Sequence, residues 1–265
     1  MRTFSACFII GLIISAPVRA HFEQVTIPPQ TERNVTGDCI GGDDSVQVRG
    51  GVVSIINSMN ETYLLNFDKQ SGELLGYFGA AGNPKVCVLT LKYGESDVNE
   101  SYSLFVYDVG LGKFKTSRVK TVTNPDFING GIFSDYTDGP FRRREKLCYS
   151  DKIKDYYKCE NSEEFSEQLE RRQMCTESSC SEPQILKQST SNVVEATVSE
   201  DKVYFLEKNI DGGFDQKQAY LLKGDKIVLN DYYESGEGLY YQVTYIGKVI
   251  TKGWVRDSSI VVGNN

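Results

Sequence analysis

The chain has 265 residues, with 29 Lys and Arg against 36 Asp and Glu, a formal charge of −7, one His and seven Cys. A globular composition of that sign repels phosphate backbones and anionic lipid, which excludes nucleic acid or a membrane surface as a partner except through a local basic patch. At about 100–200 residues per domain, the length fits two small domains as readily as one large one.

Arg2 precedes the apolar run Cys7 to Ile14, and Ala16-Pro17-Val18-Arg19-Ala20 supplies small residues before a cut. Residues 1–20 therefore read as a secretory signal peptide that leaves His21 as the mature N-terminus, in the periplasm or outside the cell. The run is shorter than the ~20 residues a spanning helix needs and no later stretch supplies one, so no transmembrane segment is expected after cleavage. Cys7 is not a lipoprotein cysteine, because the apolar region follows it instead of preceding it.

From Ser45 to Cys159 apolar and polar residues mostly alternate, the period of strands. Gly51–Ile56, Thr62–Phe67, Leu74–Phe78, Lys85–Leu91 and Tyr102–Tyr107 are separated by turn-forming Gly, Asn, Asp and Ser. An antiparallel β-rich domain over residues 21–180 is predicted, carrying one short surface helix at Ser162–Met174. There Ser162 would cap the helix, Glu163 and Glu164 would suit its N-terminal end, and Arg171 and Arg172 its C-terminal end. Residues 181–194 turn polar without a period and read as a linker. Strand patterning resumes over 195–265, through Val203–Leu206, Ala219–Leu222, Lys226–Leu229, Tyr240–Tyr245 and Lys252–Val255, close enough together for a small barrel. The fold class is mainly β.

Without Cys7, six cysteines remain, and an even count in an exported chain reads as three disulfides. A hairpin about Asp151–Asp155 would set Cys148 opposite Cys159, and Cys175 with Cys180 would close a small loop. That leaves Cys39 with Cys87. Zinc is disfavoured because there is no second His and no paired C-x-x-C unit, so no metal and no cofactor is expected.

His21 lacks the second His that a copper brace needs. Ser-His-Asp and Cys-His chemistry lack a usable base, and paired thiols leave no nucleophile, so catalysis is not expected. Asp126, Asp135 and Asp138 form the one acid cluster to weigh as general acid and base, although turn and cap roles suit them better. Asp211-Gly212-Gly213-Phe214-Asp215 lacks the spaced acids of a calcium loop and reads as a flexible barrel loop. Arg142-Arg143-Arg144 is the one basic cluster. After the turn Asp138-Gly139-Pro140 it is expected on an exposed loop, either as a solvated edge strand or, with Tyr136 and Phe141 as anchors, as a patch for an acidic protein partner.

Two resemblances rest on longer stretches. Ala219–Leu229, Tyr240–Tyr245 and Gly253-Trp254-Val255-Arg256-Asp257-Ser258-Ser259-Ile260 resemble bacterial SH3-like domains, which implies a non-catalytic binding or spacer module, in some cases for cell-wall peptide. Its exposed aromatics Tyr232, Tyr233, Tyr240 and Tyr241 would form the ligand surface, while Trp254 would close one end of the barrel or join that surface. Ser101–Asp108, Gly112-Lys113-Phe114, Asn124-Pro125-Asp126-Phe127 and Ile132–Gly139 are similar to a family of exported bacterial propeller-like β proteins that includes lysozyme inhibitors and immunity proteins against muramidases. The calcium loop found in many of that family is replaced here by Tyr77–Pro84, which holds no carboxylate. Against that bacterial background the sequons at Asn34, Asn60 and Asn99 read as coincidence.

The expectation is a periplasmic, disulfide-containing, non-catalytic binding protein. Either residues Asp135, Tyr136, Asp138, Phe141, Arg142, Arg143 and Arg144 engage the cleft of a muramidase-like enzyme, or the SH3-like domain binds cell-wall peptide.

Overall fold

The computed structural model describes residues 22–34, 44–49, 52–57, 59–68, 73–81, 85–128 and 131–263. The leader at 1–20, its cleavage and His21 lie outside the described residues. Among those described, no helix is long and apolar enough to cross a membrane.

Among the described residues, four antiparallel sheets follow one another. β1 (Phe22–Ile27) leads to a four-stranded meander of β2 (Glu32–Asn34), β3 (Ser45–Arg49), β4 (Val52–Ile56) and β5 (Thr62–Asp68). The second sheet is built from β6 (Leu74–Ala81), β7 (Val86–Glu95), β8 (Glu100–Asp108) and β9 (Lys113–Thr123), with β1 added to its β6 edge. A third holds β10 (Pro125–Ile128), β11 (Gly131–Asp138), β12 (Phe141–Ser150), β13 (Asp155–Glu164), β14 (Leu169–Met174) and β15 (Gln184–Lys187) in sequence order. The fourth contains β16 (Glu195–Val198), β17 (Lys202–Lys208), β18 (Phe214–Leu222), β19 (Lys226–Ser235), β20 (Gly238–Ile246), β21 (Ile250–Arg256) and β22 (Ile260–Val262), ordered β18-β17-β21-β20-β19-β16-β22. The predicted mainly β class is what the protein has.

The second sheet is the middle layer. On β7, Cys87, Leu89 and Leu91 pack towards Val46, Val48, Val53 and Ile55 of the first sheet, while Val86 and Val88 pack towards Ile132, Leu147 and Tyr156 of the third. A strand covered on both faces reads as an unbroken apolar run, and β7 is buried from Val86 to Leu91. A separate core fills the fourth sheet, around Phe205, Leu221, Val243 and Val255. The turn Lys223-Gly224-Asp225 joins β18 to β19 as expected, with Gly224 at φ +92°.

Two expectations are corrected. Ser162–Met174 is not a helix but the end of β13, a turn and β14. The stretch offers a core only Phe165 and Leu169, too little to hold a helix, and its charges find partners across strands: Glu163 stands opposite Arg143 on one side and Arg171 on the other, and Glu164 stands opposite Arg142. Within the polar stretch read as a linker, β15 pairs with β14 and buries Ile185 in the core of the fourth sheet. Two apolar residues, Ile185 and Leu186, are too few to show a period, but they suffice for a short strand.

Cys148–Cys159 and Cys175–Cys180 are disulfides, as predicted. The register shift after Lys146 makes Cys159 the extra residue of a bulge, and its Cα lies 5.6 Å from that of Cys148. Cys87 is fully buried on β7. Cys39 lies outside the described residues, and the Cys39–Cys87 pairing with it.

Candidate functional site

The basic cluster sits on a strand. Arg142, Arg143 and Arg144 occupy β12, which is paired with β11 on one side and β13 on the other, so they are neither on a loop nor on a sheet edge. Each arginine takes one of the three predicted acids. Arg142 grips Asp135 with two nitrogens at 2.9 and 2.8 Å. Arg143 reaches Asp138 at 2.9 Å and Glu163 at 2.7 Å. Arg144 lies 3.7 Å from Asp126 and 4.4 Å above the Phe133 ring. Tyr136 donates its hydroxyl to Glu145 at 3.1 Å, and that carboxylate also holds Lys158. The charges intended for a partner are neutralised across the sheet. Phe141 turns towards the fourth sheet and meets Tyr232, with ring centroids 6.3 Å apart.

The expected aromatic surface divides as well. Tyr232 packs against the third sheet, stacked on Phe165 at 4.1 Å, and donates its hydroxyl to Glu163. Burial, followed by the hydrogen bond to Glu163 and the charge it carries, raises the Tyr232 phenol above its ordinary range. Its neighbour Asp231 accepts from Arg171 at 2.6 Å, a second bond across the same seam. Tyr241 joins the core of the fourth sheet, where burial raises its phenol too. Of the four tyrosines expected to be exposed, Tyr240 and Tyr241 are 1% and 6% exposed. They bury because consecutive residues of β20 meet apolar surface on both faces, Phe214 on one and the core of the fourth sheet on the other.

Tyr233, Tyr240 and Trp254 are brought together by Phe214. Its ring stacks on Tyr240 at 4.1 Å and meets Tyr233 and Trp254 at 6.0 and 5.9 Å. Lys208 places its ammonium 3.2 Å from the Tyr233 centroid, a cation held on an aromatic face. Beside this cluster opens a cleft of about 290 Å³, lined by Leu206, Gly212, Gly213, Phe214, Ser235, Gly236, Glu237, Tyr240 and Arg256. Its lining is more polar than apolar: Ser235, Glu237, Arg256 and the glycine backbones join the Phe214 and Tyr240 rings.

Two turns form the rims. The segment between β17 and β18 is closed by its own backbone: Asn209 N–H donates to the Gly213 carbonyl at 2.8 Å, Gly212 N–H to the Asn209 carbonyl at 3.1 Å, and Asp211 accepts from Gly213 N–H at 3.1 Å. The segment expected to be a flexible loop is thus a hydrogen-bonded turn at the mouth of the cleft. Gly212 has φ +88°, and a Cβ there would lie 2.6 Å from the Tyr233 hydroxyl, so both backbone and space call for glycine. Gly236 and Glu237 turn β19 into β20 on the opposite rim.

Leu206, Phe214, Ser235, Glu237 and Arg256 were not foreseen as site residues. Ser235-Gly236-Glu237-Gly238 between two tyrosine pairs does read as a hairpin turn, but nothing local sets it beside Asp211–Phe214. Among the described residues, no group of three or more His, Cys, Asp or Glu gathers as a metal site.

No protein-family model, no curated protein and no solved structure matches the chain.

Proposed function

We propose that the protein is an exported, non-catalytic binding protein whose C-terminal sheet is an SH3-like barrel that takes a short cell-envelope peptide into the cleft between Gly212-Gly213 and Gly236-Glu237. The observation that carries the reading is the cleft itself, an aromatic wall of Phe214 and Tyr240 with Arg256, Glu237 and Ser235 converging on it. The N-terminal sheets form a base of consecutive antiparallel meanders, which suits the propeller-like reading of that half. The two disulfides among the described residues suit an oxidising compartment. The ion-paired state of Asp126, Asp135 and Asp138 supports a non-catalytic role, since none is left as an unpaired carboxyl in an apolar setting. Occlusion of a muramidase-like enzyme by residues 135–144 draws less support, because the arginines of that hairpin are spent on its own acids.

Co-sedimentation of the full chain with purified, insoluble peptidoglycan tests the reading. Retention is expected, and Gly236→Trp, which sets an indole on the cleft lining at a position where a Cβ meets nothing within 4 Å, should abolish it. Absence of retention, or retention unaffected by Gly236→Trp, overturns the proposal.

A further inference from the structure

The cleft already holds a carboxylate of the protein's own. Glu237 accepts from the Tyr240 hydroxyl at 3.2 Å and from Arg256 Nη2 at 3.1 Å, with both contacts on its Oε2. All three side chains line the cleft. The Tyr240 donor is buried, whereas Arg256 and the acceptor Glu237 are open to water. Tyr240 is 1% exposed and clamped by Phe214, and the Arg256 guanidinium rests 5.5 Å over the Tyr240 ring. Glu237 stands in a turn between Gly236 and Gly238, with its side chain 75% exposed and that of Arg256 54% exposed. An ion pair so open to water contributes little, and it can be exchanged at small cost.

Resting on the peptide-binding reading above, we infer that the cleft recognises the free C-terminal carboxylate of a short peptide, held by Arg256 and the Tyr240 hydroxyl in place of Glu237. The guanidinium offers a planar fork to a carboxylate, and the phenol supplies a further donor. Phe214 provides the apolar wall for the side chain of the last residue. The Gly212-Gly213 rim has no side chains, so an extended backbone can run along it. Glu237 then acts as a competing acceptor that sets the affinity.

Calorimetric titration of the full chain tests this with L-Ala-D-isoGln-L-Lys-D-Ala-D-Ala, whose sole carboxylate is the C-terminal one, and with its C-terminal amide. The free acid should bind about tenfold more tightly than the amide, the equivalent of about 1.4 kcal/mol. Arg256→Gln should erase that difference, Arg256→Lys should restore part of it, and Glu237→Gln should tighten the free acid several-fold while leaving the amide unchanged. Equal binding of acid and amide, blocked by Gly236→Trp, would overturn the carboxylate inference while the peptide reading stands. Weaker binding of both peptides to Glu237→Gln would also overturn it, by making Glu237 a ligand contact. Failure of either peptide to bind would remove the inference together with the reading on which it rests.

Discussion

Tyr232 and Tyr233 are neighbours in β19 and serve opposite sides of it. Tyr232 stacks on Phe165 and bonds Glu163 of the third sheet, whereas Tyr233 turns into the aromatic cluster beside the cleft, under the ammonium of Lys208. Successive side chains of a strand point to opposite faces, so one strand both anchors the fourth sheet to the third and stands beside the cleft.

Anchor and site should therefore separate on mutation. Tyr232→Phe removes a hydrogen bond to a carboxylate and should cost about 1.5 kcal/mol, a fall in Tm of about 3–6 °C for a chain of this size. Peptidoglycan retention should be unchanged. A melt followed by circular dichroism and a sedimentation assay measure the two effects; loss of retention at unchanged Tm would contradict the division.

Gly212→Ala should act on the site. It places a side chain at a left-handed φ, a cost of about 1 kcal/mol, and pushes against the Tyr233 hydroxyl. Retention should fall with only a modest loss of Tm, and the near-ultraviolet dichroism from Tyr233 and Trp254 should change. Gly236→Ala, which meets open space, is the control and should leave both unaltered.

Replacing Cys148 and Cys159 by Ser removes the crosslink between β12 and β13. Releasing a loop of this length should cost about 3 kcal/mol, read as a lower urea midpoint. β13, β14 and the turn between them carry Glu163, Phe165 and Arg171 to the fourth sheet, so hydrogen exchange should rise first at β13 and β14.

Asp108 titrates below the ordinary aspartate range, because Lys115 bonds it at 2.8 Å, with further help from the Leu111 and Gly110 N–H groups. A depressed folded-state value means that its contribution to stability is fully present above about pH 4 and is lost as pH falls through the folded-state value. Asp108→Asn should lower stability at neutral pH and flatten the acid limb of a urea-midpoint against pH profile. Carboxyl-carbon NMR should place the Asp108 midpoint below those of exposed aspartates.

Alternation of apolar residues was enough to determine the β class and most strands, because a half-buried strand writes its period into local sequence. The same holds for the crosslinks Cys148–Cys159 and Cys175–Cys180, closed by separations of 11 and 5 residues, and for the turn at Gly224. Where a charge's partner lies on another strand, sequence order misleads. Glu163, Glu164, Arg171 and Arg172 match the ends of a helix as well as they match a ladder, and only the register against Arg142 and Arg143 separates the two. Burial of Ile185 depends on a core built mainly from residues after position 194. The cleft depends on more still, since Phe214, Glu237 and Arg256 come from three separate parts of the fourth sheet and meet only when the sheet curls. Local pattern determines which residues form strands and tight turns, whereas the contacts that decide the site are long-range and exist only once the strands are paired.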